Sequence, residues 1–457
     1  MARRMPGMVE TAPHPIPRPL TWAGLLGVWL VVCSASVRGA GSDNPVLPYD
    51  DTLKSRKGMV EGFLRDGQVP ADKQEVFDDY ITKYVVPQFV LPSNGGALRN
   101  VRDTFRKKLF LPAPPSAARQ RLLELTVDGF NKILFDASLG KNFAGDDLGK
   151  WTAWTAAKVN VILALGELNE TEGTASKRAK PLPAALPMLL EIAKPPAKAT
   201  RGRDDSLRAA ALIALERHAD NPDIAVETRS KVRDAMLAIV EQRKPPAGRD
   251  AAVNDYLRGL AIDVLAMTKD TGPKNVTVVA LDRIVNTPAE PIRLRGQAAR
   301  ALGNLEFPTG SNLDFKPLAD HIGRLAVDVC KTEVERAQKA QNLSLNLESR
   351  RRLKPSIRDA IDGLFREGGR SGLITGATDP AQIAFVKKVI EKVKKVEEVL
   401  DKDVSGEVAV AKLAGPLKDL ESVLEPRAEA PKLTPDEKPA EEAEALAGSP
   451  PPRVGAK

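Results

Sequence analysis

Small and apolar residues recur at helical spacing in five segments of the chain, and a basic residue opens each segment. The segments begin at Lys158, Arg208, Arg258, Arg295 and Arg358. Counted from the basic residue, the third, sixth and seventh positions are small or apolar in all five, and these positions share one face of an α-helix. A small residue there lets a neighbouring helix approach closely, while the large residue at the seventh position fills the groove between the two. The pattern predicts five similar amphipathic helices.

A second apolar helix is predicted after each of the first four segments. These partner segments begin at Leu182, Thr228, Asn275 and Pro317. The segment from Asn275 is β-branched enough to favour a strand by propensity, but its helical neighbours favour a helix. Helices that repeat in pairs do not bury their apolar faces singly, so we expect them to stack into a solenoid. The fold class predicted is all-α.

The segment DDSLRAAALIAL, residues 204 to 215, carries a family resemblance. Its acid at Asp204, basic residue at Arg208 and Ala-x-x-Ala-Leu core resemble the HEAT-repeat (armadillo-like) pattern, and LRGQAARALGNL from Leu294 echoes it. Asp204 is expected to cap its helix, and Arg208 to reach a carboxylate or carbonyl of a neighbouring repeat. The resemblance implies a right-handed α-solenoid of antiparallel helix pairs that serves as a scaffold for partners.

The resemblance has irregular features. The aligned basic residues lie 50, 50, 37 and 63 positions apart, against about 40 to 47 in typical members. Asn254, Pro291 and Lys354 stand where the pattern has an acid, so a continuous ladder of Asp-to-Arg contacts is not expected. Across residues 75 to 366 the chain more closely resembles exported bacterial HEAT-repeat proteins of uncharacterised function, through YITKYVVPQFVLPSN at 80 to 94, RLLELTVDGFNKIL and VILALGELN.

The repeats are assigned to residues 116–366, and other segments flank them. Residues 41–115 are predicted to form an N-terminal helical cap, with helices near 52–65, 72–85 and 98–109, because a terminal unit needs a polar outer side. Residues 425–457 contain seven prolines mixed with acids and alanine, a composition that predicts a disordered tail.

Residues 367–424 are predicted to hold C-terminal amphipathic helices. In the segment 379–400 the apolar side chains alternate three and four apart, at Val386, Val389, Val393, Val396 and Leu400. Three interpretations fit this spacing: a short coiled-coil seam, a surface for anionic lipid or envelope polymer, or a helix that pairs with the segment Leu413 to Leu424 and closes the solenoid.

The first forty residues have the organisation of an export signal. Arginines precede an uncharged run at 20–37, and small residues follow it, which is typical of a signal peptide. Cleavage is expected after Ala35 or Gly39. The alternative is a retained signal anchor that tethers the chain to a membrane, because the run approaches the roughly 17 to 25 residues that span a bilayer. Either interpretation predicts an exported protein, periplasmic or in the cell envelope.

Composition narrows the choice of partners. Aromatic residues form only 4% of the 457 residues, which favours closely packed helices over aromatic-rich strands. Without residues 1–40 the chain has 64 basic and 59 acidic residues, a net charge of +5. This weak excess argues against a nucleic-acid partner. Cys330 is then the one remaining cysteine, and we expect a small apolar core residue there.

No catalytic, cofactor or metal motif occurs in the sequence. His218 and His321 lie 103 residues apart, and the chain contains no HExxH motif, CxxC pair, Walker loop or nucleophile elbow. Lys158, Asp204, Arg208, Arg258, Arg295 and Arg358 are therefore interpreted as structural repeat positions. We expect a non-enzymatic scaffold that mediates protein–protein interaction in the cell envelope. The alternative is an accessory or lyase-like enzyme on the same fold. Partner identity and oligomeric state stay open.

Overall fold

The computed structural model describes residues 46–140, 148–195, 204–308, 313–342, 344–366, 371–401 and 408–426. This part of the chain is mostly helical, which confirms the all-α prediction. The predicted signal at 1–40 and nearly all of the predicted tail lie outside the described residues. None of the helices described is both long and apolar enough to cross a bilayer.

Seventeen α-helices occur in the described residues, and we number them in chain order. They are α1 Lys57–Asp66, α2 Gln74–Asp79, α3 Leu98–Phe105, α4 Ala117–Phe135, α5 Ala137–Gly140, α6 Leu148–Glu167, α7 Ala185–Ala193, α8 Asp205–Ala219, α9 Val226–Val240, α10 Ala251–Thr268, α11 Val276–Val285, α12 Ile292–Asn304, α13 Phe315–Lys339, α14 Leu347–Leu364, α15 Leu373–Gly376, α16 Pro380–Asp401 and α17 Val410–Glu421. The β-branched segment after Asn275 is helical, as its neighbours predicted.

Short 3₁₀, π and β elements connect these helices. The 3₁₀-helices are Asp51–Arg56, Ala71–Lys73, Val86–Phe89, Pro92–Ala97 and Pro273–Asn275, and the π-helices are Tyr80–Val85 and Arg106–Phe110. Two antiparallel ladders pair β1 (Asn169–Thr171) with β2 (Lys180–Pro181), and β3 (Ser344–Leu345) with β4 (Val408–Ala409). The sequence pattern did not predict these ladders, which are only two or three residues long.

The repeat helices pack in two rows. In the first row, α6, α8, α10, α12 and α14 each contact the next member. In the second row, α7 contacts α9, α9 contacts α11, and α11 contacts α13. The five segments aligned on a basic residue supply the first row, and the partner segments supply the second. At the ends, α3 and α4 pack on α6, while α16 packs on α13, α14 and α17.

Each second-row helix packs mainly against the first-row helix that follows it in the chain. Thus α7 packs more extensively on α8 than on α6, and α9, α11 and α13 likewise favour α10, α12 and α14. The sequence pattern groups each basic helix with the apolar helix after it. The contacts shift this grouping by one helix, because the periodicity identifies a buried face but does not say which neighbour covers it.

The aligned apolar positions form the core. The third, sixth and seventh residues of all five segments are buried, except Phe365, which is partly buried. The apolar side chains of α16 that alternate three and four apart are also buried. Because this helix packs on α13, α14 and α17, its apolar face is covered by the chain itself, as the pairing interpretation predicted.

Glycines mark the closest approaches between first-row helices. A Cβ atom added at Gly166 would lie 2.4 Å from the Cβ of Ala214, where α6 meets α8. A Cβ at Gly303 would lie 2.6 Å from the carbonyl oxygens of Asp362 and Gly363, where α12 meets α14. At these points the helix backbones touch, and a side chain of any size would force them apart.

Gly303→Ala is expected to lower the free energy of unfolding by about 1 to 3 kcal/mol, because rigid backbone atoms occupy the space that the methyl group needs. Urea denaturation followed by circular dichroism measures the change. Gly62→Ala in α1 is the matched control, since nothing lies within 4 Å of its added Cβ. That control should raise stability by about 0.5 to 1 kcal/mol. Equal effects at both glycines would contradict the close approach.

Candidate functional site

Three of the aligned arginines bind the end of a second-row helix. Each donates from its Nε atom to the carbonyl at the C-terminus of the helix that precedes its own. The acceptors are Lys194 for Arg208 (3.3 Å), Val240 for Arg258 (2.9 Å) and Val285 for Arg295 (2.8 Å). Such carbonyls have no partner within their helix, and the helix dipole makes this end negative. The repeated arginine thus caps its neighbour, as the expected reach to a carbonyl implied.

Lys158 makes the same contact at the start of the first row. Its Nζ donates to the carbonyl of Leu134 at 3.0 Å, near the end of α4. The ammonium group also lies 5.3 Å from the centre of the Trp154 ring, a cation–π arrangement. Burial lowers the pKa of Lys158 below its ordinary value. The helix α4 therefore takes the place of a second-row helix beside α6.

The carboxylates that pair with these three guanidinium groups do not stand at equivalent positions in the sequence. Arg208 donates to Asp205 on its own helix, Arg258 makes a bidentate pair with Glu290 at 2.7 and 2.8 Å, and Arg295 donates to Asp328 on α13. Arg258 and Glu290 are both buried. Charge-assisted bidentate bonds of this kind are among the strongest in proteins. The contacts do not form a repeated Asp-to-Arg ladder.

Asp204 does not act as predicted. It lies at the N-cap position of α8, but its side chain makes no capping hydrogen bond. The next residue, Asp205, is buried and accepts hydrogen bonds from Arg208 and from Arg249 at 2.7 Å each. Two guanidinium groups hold this acid between them, which compensates for its burial better than a single backbone N–H would. The functional acid is therefore one residue later than the pattern indicated.

Arg358 also departs from the predicted role. Its side chain is half exposed and pairs with Glu397 on α16 at 3.4 Å. The C-terminal part of α13 lies instead beside Arg352, whose guanidinium contacts Glu333 at 3.0 Å. The second-row helix here has 25 residues, against 9 to 15 in α7, α9 and α11. Arg358 instead forms ion pairs with Asp362 on its own helix and with Glu397 on α16.

Sequence reasoning missed a buried and heavily bonded cation. Arg119 on α4 is 2% exposed and donates to the carbonyls of Phe110, Ala113 and Asn169 at 2.6 to 2.9 Å and to the Glu172 carboxylate at 2.9 Å. It ties the N-terminal region to the loop after α6. A single arginine in an amphipathic helix normally indicates the solvent face, so no local pattern marks it.

Four first-row helices carry a partly exposed side chain at the same aligned position, and α14 carries one at a different position. We call Leu163, Ile213, Asp263, Arg300 and Asp359 the first-row strip. The first four stand five residues after the aligned basic residue of α6, α8, α10 and α12, and Asp359 follows on α14. All five are partly exposed. The strip is apolar on α6 and α8 and charged on the three later helices.

Arg300 joins the charged half of the strip across three helices. It donates to Asp263 on α10 at 2.8 Å and to Asp359 on α14 at 3.1 Å. Gln297 donates to the other oxygen of Asp263 at 3.3 Å. The three charged side chains are 17 to 28% exposed, so the network is shielded yet reachable from solvent.

The strip contains an acid that titrates near neutral pH. Burial raises the pKa of Asp359 to about 6, and nearby Asp362 and Asp263 raise it further, against the lowering effect of Arg300. Burial likewise raises the pKa of Asp263. Arg300 and, to a smaller extent, Arg293 lower the pKa of both carboxylates, but burial outweighs them.

The remaining chemistry-bearing residues lie apart from the strip and from each other. Burial lowers the pKa of His218 to about 4, while the Nδ1 atom of His321 lies 2.8 Å from Asp282. Cys330 is buried, and burial raises its pKa to about 12, in agreement with the core residue predicted. In the described ranges no group of three or more histidine, cysteine or acidic side chains is placed to hold a metal ion.

Comparisons with known proteins identify no relative. No family model matches the chain, and no curated protein or solved structure matches it. The HEAT-repeat resemblance therefore stays a prediction, and the function is inferred from the geometry alone.

Arg258→Met is expected to lower the free energy of unfolding by about 3 to 5 kcal/mol, because buried Glu290 loses its bidentate partner and keeps only the partly exposed Arg243, at 3.4 Å. Adding Glu290→Gln should recover part of this loss. The matched control is Arg358→Met, at the aligned but half-exposed position, with an expected cost of about 1 kcal/mol or less. Chemical denaturation measures all three variants. A loss at Arg258 no larger than at Arg358 would disprove the buried-pair role.

Asp359→Asn is expected to change how stability depends on pH. The folded-state pKa is raised, so the folded chain holds its proton more tightly than the unfolded chain. The stability that this tighter proton binding contributes is complete below about pH 4 and is lost as pH rises through about 6. Asparagine does not titrate, so the stability of the variant does not fall for this reason. Its stability relative to wild type should therefore increase by about 2 to 3 kcal/mol between pH 4 and pH 7.

Urea denaturation at intervals between pH 4 and pH 7 tests this dependence. Glu227→Gln is the control, because Lys231 lowers the pKa of that exposed acid. Glu227 contributes stability above the ordinary pKa of a glutamate, and this stability is lost as pH falls. The stability of Glu227→Gln relative to wild type should therefore decrease between pH 4 and pH 7. If the stability of Asp359→Asn relative to wild type does not change with pH, the raised pKa of Asp359 is ruled out.

Proposed function

We propose that this protein is a non-enzymatic scaffold, a HEAT-like α-solenoid whose first-row strip binds a protein partner. The two rows of helices support a solenoid, because each row continues through successive neighbours and each second-row helix packs on the first-row helix that follows it. Short connections between such helices favour antiparallel packing. The proposal places the protein in the envelope compartment to which an export signal at 20–37 would direct it.

The observation that carries the proposal is the composition of the strip. Leu163 and Ile213 are partly exposed apolar side chains at equivalent positions of adjacent helices, and Asp263 and Arg300 continue the same line. An apolar patch flanked by fixed charges is typical of protein interfaces, in which the apolar part supplies affinity and the charges supply register. The strip also lies on helices rather than loops, so it is held rigidly.

Site-specific photocrosslinking tests the proposal. A photoreactive amino acid at Ile213 should give a defined protein adduct in cells that express the chain, identified by mass spectrometry. The control position is Val279 on α11, an apolar residue of the second row that is 51% exposed. The intact mass of the purified protein reports in the same preparation whether residues 1–40 were removed.

Binding of the purified partner then completes the test. Ile213→Asp should weaken binding by about tenfold or more, since a charge replaces an apolar contact worth more than 1.4 kcal/mol. Val279→Asp should leave binding unchanged, and circular dichroism checks that both variants fold. The same adducts at both positions would refute the strip as the binding surface. Consumption of a small molecule with no adduct at either position would support the enzymatic alternative instead.

A further inference from the structure

A cleft of about 350 Å³ opens in the N-terminal region, away from the first-row strip. Two short segments form it: residues 49–54 and 84–94. Its volume falls in the lower part of the range of about 300 to 1,000 Å³ that is usual for ligand pockets. The backbone N–H of Asp50 donates to the carbonyl of Lys83 at 2.9 Å, which fixes the first segment against the second.

The helical run that supplies one wall is irregular. It changes from α-helix at Gln74–Asp79 to π-helix at Tyr80–Val85 and then to 3₁₀-helix at Val86–Phe89. Pro87 has no N–H group to continue the ordinary pattern. Isolated π segments of this kind are frequent at functional sites. Tyr84 lies in the π-helix and Gln88 in the 3₁₀-helix, and both line the cleft.

Three tyrosines make a continuous aromatic run from the core to this cleft. The rings of Tyr80 and Tyr84 have centres 5.2 Å apart, and those of Tyr84 and Tyr49 are stacked at 5.9 Å with an angle of 21°. Tyr80 is buried, whereas Tyr84 and Tyr49 are partly exposed. The Tyr49 hydroxyl donates to Asp51 at 2.8 Å, which holds that ring in place.

Polar groups surround the aromatic wall. Gln88, Ser93 and Lys54 line the cleft, and their side chains make no hydrogen bond or ion pair with any residue in the described ranges. Asn94 donates its Nδ2 to the carbonyl of Gln88 at 3.0 Å, which leaves its Oδ1 as a fixed acceptor. The cleft thus combines an aromatic surface with amide and hydroxyl groups, one carboxylate and one ammonium group.

We propose that this cleft binds a neutral saccharide. A sugar ring presents C–H groups on its faces and hydroxyl groups around its edge, so it needs an aromatic surface and surrounding donors and acceptors at the same time. Tyr49, stacked on Tyr84, supplies the surface, while Asp51, Gln88 and Asn94 supply the polar edge.

The arrangement favours a saccharide over a cation. An aromatic cage for an ammonium group needs ring faces that surround the charge, but Tyr49 and Tyr84 stack on each other. Lys54 and Asp51 also bring opposite charges to the cleft, so its lining carries no net negative charge to hold a cation. The surface is independent of the scaffold proposal, since none of the first-row strip residues lines the cleft.

Saturation-transfer NMR on the full-length protein tests the proposal with maltotriose, cellotriose and tri-N-acetylchitotriose as probes. At least one trisaccharide should receive saturation, and titration calorimetry then gives its dissociation constant. Tyr49→Ala and Gln88→Ala should each weaken binding by about tenfold, while Tyr49→Phe, which keeps the ring, should change it much less. Phe135→Ala is the control, because Phe135 is 44% exposed and lies outside the cleft.

The outcomes separate the alternatives. Binding that is lost in Tyr49→Ala and Gln88→Ala but kept in the Phe135 control supports the cleft. Absence of saturation transfer for all three probes overturns the proposal, as does binding that both cleft variants retain. Displacement of the trisaccharide by tetramethylammonium at equal concentration would also overturn it, since that result indicates a cation site. Circular dichroism confirms that each variant is folded.

Discussion

The close approach of successive first-row helices is the constraint on which the other features depend. Where Gly303 meets Gly363 no side chain separates the two backbones, and where Gly166 meets Ala214 only the alanine methyl group lies between them. Helices at this distance exclude water, so any polar group near the contact needs a partner within the protein. The same distance brings side chains at equivalent positions within hydrogen-bonding range across helices. The ion pairs between α10, α12 and α14 follow from this spacing, as does the line of partly exposed residues above them.

The buried arginines are one response to that constraint. A second-row helix that ends inside the structure exposes carbonyls with no intrahelical partner, and a guanidinium group has enough donors to serve a carbonyl and a carboxylate together. Arg258 does both, through Val240 and Glu290. Lys158 satisfies a carbonyl and an aromatic face instead, with a single compact charge. Each of these cations joins two helices that are separate in sequence, so it contributes to their relative position as well as to stability.

Much of the architecture was predictable because it has a local cause. Helical periodicity identified the buried residues of both rows, and alignment on the basic residue identified Arg208, Arg258 and Arg295 as equivalent. The partners were not predictable, since Glu290 lies in a loop and Asp328 in a later helix. Arg358 matches the others in sequence but lies beside a longer helix. The Tyr49 cleft depends on chain segments brought together by folding, and its polar groups have no characteristic spacing. The envelope scaffold function stays a prediction.

Each second-row helix packs mainly on the first-row helix after it. These two helices together are the unit that can be added to or removed from the array. The natural division falls between α8 and α9, or between α10 and α11, where consecutive helices share few contacts. A segment excised from Val226 to Thr268 would leave with its own interface intact. One cut from Asp205 to Val240 would instead split two interfaces and leave unsatisfied helix ends on both sides. Deletion of a helix pair is therefore less disruptive in one phase than in the other, although removal of Val226 to Thr268 still separates Arg258 from Glu290.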